Sequence, residues 1–391
     1  MSRNIFEISV LIAAVFLAAC ASPASVPVAT QGQEQPQSSV PTEEVMIAQP
    51  LWTAQTTAAV NASPIVAGDL VIVPTADGVI HAIEARSGKS VWSFSELKAW
   101  DASVNADSEK VCAGAEGKKV FCLDLKTGSL LWNVVLDLEV QSRIAFGSDL
   151  VFAPTTRAGT GMKNDFQGGA SLVAIHAKTG EIAWQSLTEN YILRRPVVNG
   201  NIVITGGAYQ PEGKPDGEVS TRIYAFNIND GSMLWEYISD DGLVRWVDST
   251  DDLVFFSAAT ETVYALNLAD GVLLWKYGPG YWMQFPVIQG ERIYFGGGDE
   301  IFHAFNVSTG QETWVQAINA SSLNQVGRPF IRENTIWFNA VTGEIYGLSL
   351  ETGERVAYFS TGHSARVGGT MFESFYIFGD PEGNVYAYDI E

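Results

Sequence analysis

The 391-residue chain is short of charge, above all of positive charge. Charged residues make up 17% of it against 47% hydrophobic. That balance excludes a chain that stays unfolded for want of a core. There are 23 Lys and Arg against 44 Asp and Glu, a formal net charge of −21. A field of that sign repels nucleic acid and anionic lipid, so neither is expected as a main partner. Cysteine and histidine are rare, at three and four residues. His81, His176, His303 and His363 have no metal-ligand spacing, and no Asp-x-Asp calcium loop stands out, so no metal site is expected. His81 and His303 hold equivalent positions in the sequence pattern and read as half-buried structural residues.

The longest apolar run is also lacking in length. "ISVLIAAVFLAA" (8–19) is too short to span a bilayer comfortably. It follows Arg3 and leads into "LAAC", Leu17 to Cys20, so residues 1–19 read as a leader. Small residues before a cysteine resemble the bacterial lipobox, and that resemblance implies that Cys20 is lipidated and becomes the first mature residue. The other reading is an ordinary secretory signal with an incidental cysteine. A lipidated Cys20 would tether a soluble domain to a membrane. Ala21 in place of Asp resembles outer-membrane sorting in bacteria with two membranes. Residues 20–49 hold no aromatic residue and are rich in Ala, Ser, Pro and Gln, the composition of a flexible spacer.

The remaining cysteines, Cys112 and Cys122, flank "AGAEGKKVF". A hairpin turn there would let them face each other across two strands, either as a disulfide or as two buried thiols. Neither sits in a setting that would make it a nucleophile.

What the chain has in abundance is one repeated line: Ala, six residues on a Gly, four further a Trp. It recurs at Ala82/Gly88/Trp92, Cys122/Gly128/Trp132, Ala174/Gly180/Trp184, Ala225/Gly231/Trp235, Ala265/Gly271/Trp275 and Ala304/Gly310/Trp314. A seventh copy keeps Gly353 but carries Ala357 in the Trp position, and an eighth stops at the chain end. Trp52 lies 40 residues before Trp92, one full period. A period near 40 with several short apolar β-runs per repeat predicts a propeller. The count predicts an all-β, eight-bladed ring of four-stranded antiparallel blades over 50–391, closed by an N-terminal strand bearing Trp52 that pairs with the last blade. Closure protects the edges that an open array would expose. Each Gly should supply a left-handed turn, and Trp52, Trp92, Trp132, Trp184, Trp235, Trp275 and Trp314 should each dock on a neighbouring blade. A ring of this kind is expected to be monomeric.

This Ala–Gly–Trp line resembles the docking motif of quinoprotein-type, PQQ-like propeller repeats. No Gly-His and Trp-Asp pairs recur, so it does not resemble WD40. Two branches of the resemblance imply different functions. One comprises dehydrogenases that hold pyrroloquinoline quinone (PQQ) between a Trp and a disulfide of adjacent cysteines, beside a metal bound by Glu, Asn and Asp. This chain has no adjacent cysteines, and no cofactor is expected. The other is the BamB family of lipoproteins of the β-barrel assembly machinery, whose layout of lipobox, spacer and bare propeller this chain matches. That resemblance implies a non-enzymatic, membrane-anchored scaffold that binds protein partners in the cell envelope, outer-membrane-bound and facing the periplasm. The alternative is a PQQ-binding, dehydrogenase-like protein. In the BamB family a Leu–Arg pair and nearby acids bind the partner. "YILRRPVV" offers Leu193 and Arg194, whereas "DSTDD" (248–252) departs from the family spacing.

Two repeats run long, by "TRAGTGMKNDFQGG" (156–169) and "AYQPEGKPDGEVST" (208–221). Both insertions should rise between second and third strands on one rim, beside the loops that enter the inner strands. Those loops collect Arg143, Arg194, Arg195, Arg245, Arg328 and Arg366, six of thirteen arginines. Trp100, Tyr191, Trp246, Tyr281 and Trp282 interleave with them. Either the guanidiniums form a funnel for an anionic ligand or acidic segment, or each pairs internally with Glu139, Glu189, Asp240, Asp248 or a similar acid.

Overall fold

The computed structural model describes residues 47–156, 169–190, 192–209, 219–259, 261–278, 286–318, 328–365 and 367–390. The expected leader, Cys20 and most of the spacer lie outside these residues. So do Tyr191, Tyr281, Trp282, Arg366 and most of each insertion.

Eight antiparallel sheets follow one another along the chain. Blade 1 is typical: an inner strand Ile65–Ala67, then Leu70–Pro74, Ile80–Glu84 and the outer strand Ser90–Phe94. Blades 2 to 7 repeat the order over 105–135, 145–187, 192–239, 244–277, 287–317 and 330–360. The two middle strands are buried almost without interruption because other blades cover both faces. The outer strand alternates, with Trp92 and Phe94 inward and Val91 and Ser93 outward.

The eighth blade takes Thr370–Phe372, Phe375–Gly379 and Asn384–Asp389 from the C-terminus and Trp52–Gln55 from the N-terminus. Trp52 pairs with Ala387 and Gln55 with Asn384. The ring closes as the repeat count predicts. Its apolar core is distributed as eight clusters, one between each pair of successive blades, from blades 1 and 2 around Phe121 to blades 8 and 1 around Val71 and Ile377.

The repeated line locks those interfaces. Each motif Trp pairs across strands with its small residue, as Ala82 with Trp92 and Ala225 with Trp235. Its ring lies over the Gly of the next blade. The seven glycines have φ between +66° and +78°, and a Cβ added at Gly271 would come within 2.6 Å of the Trp235 ring. Each indole Nε1 also donates to the carbonyl three residues before that Gly, at 2.8–3.0 Å, from Trp52 to Ala85 through Trp314 to Leu350. Glycine is required twice over: the backbone is left-handed and the indole fills the space of a side chain.

Ala357 is the exception that fits. Among the described residues the blade after it offers no Gly turn. Ala48, Ile390 and Ala357 all pack against the core between blades 7 and 8, Ala48 N donates to Ser360 O at 2.8 Å, and Ile47 forms a parallel bridge with Ser360. The spacer expected to run to residue 49 is thus structured from residue 47.

Cys112 and Cys122 face each other in register, both fully buried, and are joined as a disulfide with Cα atoms 4.1 Å apart. His81 and His303 occupy equivalent positions and are more buried than expected, at 8% and 3% exposure. Their surroundings differ. His81 Nε2 lies 3.0 Å from Thr57 Oγ1, and burial pushes its pKa down, Asp77 opposing. His303 lies 2.8 Å from Glu312 and 3.2 Å from Asp299. Burial works against its charge, but the two carboxylates outweigh it and raise the pKa.

Candidate functional site

The rim carrying the insertions is built by strand-end pairing. Loops entering the inner strands run beside the turns between second and third strands: Ala99 N donates to Gly78 O at 3.1 Å, and Thr156 N to Glu139 O at 2.8 Å. Thr156 and Tyr209, the last described residues on the N-terminal side of the two insertions, therefore stand on that rim. In blade 4 the insertion is carried by longer strands, Ile202–Tyr209 and Ser220–Asn227, flanked by the extra strand Ile192–Leu193.

At the base of this blade 4 extension sits Arg222. Its guanidinium meets Glu189 at 2.6 Å and Glu236 at 3.6 Å, and lies 4.3 Å from the Tyr209 ring centroid. Nothing in the sequence singles Arg222 out, since it lies on an ordinary strand rather than in an entry loop. Its pairing also takes Glu189 away from the arginines considered above.

The entry-loop residues divide into three groups. Leu193 is fully buried in the core between blades 3 and 4, and Trp246 is 6% exposed in the core between blades 5 and 6. Both were expected at a binding surface. Their apolar side chains instead face inward from short strands packed between blades, which makes them packing residues. Arg194 and Arg245 belong to the rim and the blade junctions. Arg194 Nε donates to Val244 O, 3.1 Å away in the next blade. Arg245 is the extra residue of a bulge between Val244 and Trp246, a device that re-aims a side chain. Burial lowers the pKa of its guanidinium and Glu261 opposes.

Arg143, Arg195 and Arg328 form the third group, on the propeller axis. Arg328 Nη2 bonds Asp248 Oδ2 at 2.6 Å, joining blades 7 and 5. Arg143 Nη2 reaches Ser63 O at 3.5 Å, from blade 3 to the loop entering blade 1. Burial, then Arg195, then Arg328 push the Arg143 guanidinium down to about 10. Burial and Arg328 lower Arg195 likewise, with Asp248 opposing. The structure brings these three together and leaves Arg194 and Arg245 apart from them. A cavity of about 490 Å³ adjoins the group, lined by Asn105, Phe146, Arg195, Asn199, Asp248 and Asp251 among others.

The disulfide and the donor set bear on a quinone cofactor. Cys112 and Cys122 are buried between the second and third strands of blade 2, away from the axis, where they cannot stack on an axial ring. Among the described residues no group of three or more His, Cys, Asp or Glu could hold a metal ion. The described residues thus offer neither a disulfide face at the axis nor a metal-ligand set to a quinone held in that way.

An eight-bladed ring locked by indole-over-glycine contacts is a PQQ-like repeat propeller. Within that class the chain belongs to the family described as "Outer membrane protein assembly factor BamB", whose model matches residues 48–206 and 169–391. The outer membrane protein assembly factor BamB of Burkholderia pseudomallei is 25% identical over 333 residues, covering 82% of each chain. The crystal structure of BamB from Moraxella catarrhalis matches with a TM-score of 0.64 at 14% identity, covering 88% of this chain and 98% of that one. A quinohemoprotein alcohol dehydrogenase from Pseudomonas putida matches with a TM-score of 0.67 at 12% identity, covering 88% of this chain and 76% of that one. At such identities the two structures report the fold alone.

Proposed function

We propose that this protein is a non-enzymatic scaffold in outer membrane protein assembly, tethered through a lipid on Cys20 and facing the periplasm as a monomer. The observation that carries the reading is a family match over nearly the whole ring, to proteins that bear the name of an assembly factor. The repeated line accounts for the frame and leaves no repeated chemistry to explain. The rim is the docking surface: it carries Thr156 and Tyr209, where the two insertions leave the ring, together with the bulged Arg245 and the exposed Glu189. A protein partner that reads such a rim does so by strand and loop contacts and by charge.

The test is affinity capture of the full-length chain from native membranes, wild type against an Arg194→Glu/Arg245→Glu variant whose melting temperature is checked first. The wild type captures a component of the β-barrel assembly machinery and the variant loses it. An unchanged set of captured proteins removes the rim from the argument. The absence of any assembly component from both removes the function.

A further inference from the structure

The axial cavity has a polarity that neither the blade motif nor the rim explains. Arg195 lines it, and Arg143 and Arg328 stand close enough to act on the Arg195 group electrostatically, inside a chain with a net charge of −21. One carboxylate, Asp248, is already bonded to Arg328 through Oδ2 and accepts from Ser249 N through Oδ1 at 3.0 Å. The polar walls are spent as well. Asn105 Nδ2 donates to Ile144 O at 3.0 Å, and Asn199 Nδ2 to Thr250 O at 2.6 Å and Ser249 Oγ at 3.2 Å. Arg195 is the exception. It lines the cavity, is half-buried, and makes no hydrogen bond or close ion pair among the described residues. A guanidinium carries five N–H donors in a rigid plane and suits the paired oxygens of an oxyanion. The Arg195 nitrogens are not sealed from the cavity, so an anion that enters can reach them.

The acids on the cavity wall narrow the ligand. Asp248 and Asp251 both line it, so an anion with acceptors alone would be repelled from that side. An oxyanion that also carries a hydroxyl can give two oxygens to Arg195 and turn its own donor toward a carboxylate. We infer that the axial cavity binds a small oxyanion bearing a hydroxyl group, of which hydrogen phosphate is the simplest, with Arg195 as the direct ligand. Arg143 and Arg328 supply the field behind it. A volume of about 490 Å³ admits such an ion with bound water. The site is separate from the rim and does not depend on the scaffold reading.

Calorimetry and thermal melting with inorganic phosphate at constant ionic strength test it, on the full chain. Wild type should bind one phosphate saturably. Its melting temperature should rise by about 4 °C at a hundredfold excess over Kd. Sulfate, which has no hydroxyl at neutral pH, should bind at least about tenfold more weakly. Arg195→Gln should abolish the phosphate-induced rise, a readout that a purely structural arginine would not move. If that variant does not fold, Asp251→Asn serves: it should erase the preference for phosphate over sulfate while leaving the ring intact. No saturable binding by wild type, equal binding of sulfate by wild type, an undiminished phosphate response in Arg195→Gln, or a preference for phosphate over sulfate retained in Asp251→Asn overturns the assignment.

Discussion

The indole-over-glycine contact predicts a coupling that no single substitution reveals. Trp235 is 7% exposed, its ring covers Gly271, and its Nε1 donates to Leu268 O at 2.8 Å. Truncation to alanine empties the slot between blades 4 and 5 and strands the Leu268 carbonyl. The cavity costs about 3–5 kcal/mol and the lost hydrogen bond about 1 kcal/mol more. Gly271→Ala acts on the same place from the other side. Its φ of +72° carries a strain of about 1–2 kcal/mol for an L-residue. The new methyl would also stand 2.6 Å from the ring, an overpacking worth about 1–3 kcal/mol. In the Trp235→Ala background the overpacking disappears and only the strain remains. The double variant should therefore be less destabilised than the sum of the singles by about 1–3 kcal/mol. Urea unfolding of the four proteins measures this. Additivity within 0.5 kcal/mol would refute the claim that the ring and the Gly form one contact. Ala357→Trp is the matching control: with no Gly turn among the described residues to receive it, an indole there should overpack the core between blades 7 and 8 and lower stability.

Other consequences follow from particular residues. His303 has its folded pKa raised, so the stability it contributes is full below its unfolded value near 6.5 and lost as pH rises through the folded value. The stability gap between wild type and His303→Gln should therefore narrow as pH rises from about 6 through the folded pKa in denaturant titrations; a gap that widens would contradict the paired imidazolium. Opening the Cys112–Cys122 bond, which closes a loop of sequence separation 10, should cost about 2–3 kcal/mol. Because both cysteines are fully buried, reductant should reach them only on unfolding, as thiol labelling read by mass spectrometry would show. Cys20→Ser should move the protein from the membrane to the soluble fraction; unchanged fractionation would remove the lipid anchor.

The frame was legible in the sequence because each of its contacts repeats. An indole, a left-handed Gly and a small cross-strand partner recur at fixed offsets, and Trp52, one period before Trp92, already marked the N-terminal strand that completes the last blade. The axial group had no such signature. Arg328 meets Asp248 and Arg143 reaches Ser63 across 80 residues in each case, twice the period of the repeat. These contacts are chords of the ring, joining blades two apart. Position along the repeat placed the arginines in entry loops, but not which of them would turn inward. That choice depends on local backbone: Arg194 and Arg195 are neighbours with opposite fates, one donating to the next blade and the other lining the axial cavity, while the bulge at Arg245 takes it out of ladder register. The same reasoning explains Leu193, where a sequence likeness to a binding pair meets a strand that buries its side chain completely. In a propeller, a periodic pattern dictates the interfaces between neighbouring blades, whereas the chemistry at the axis is decided by non-repeating residues, whose partners emerge only when the ring closes.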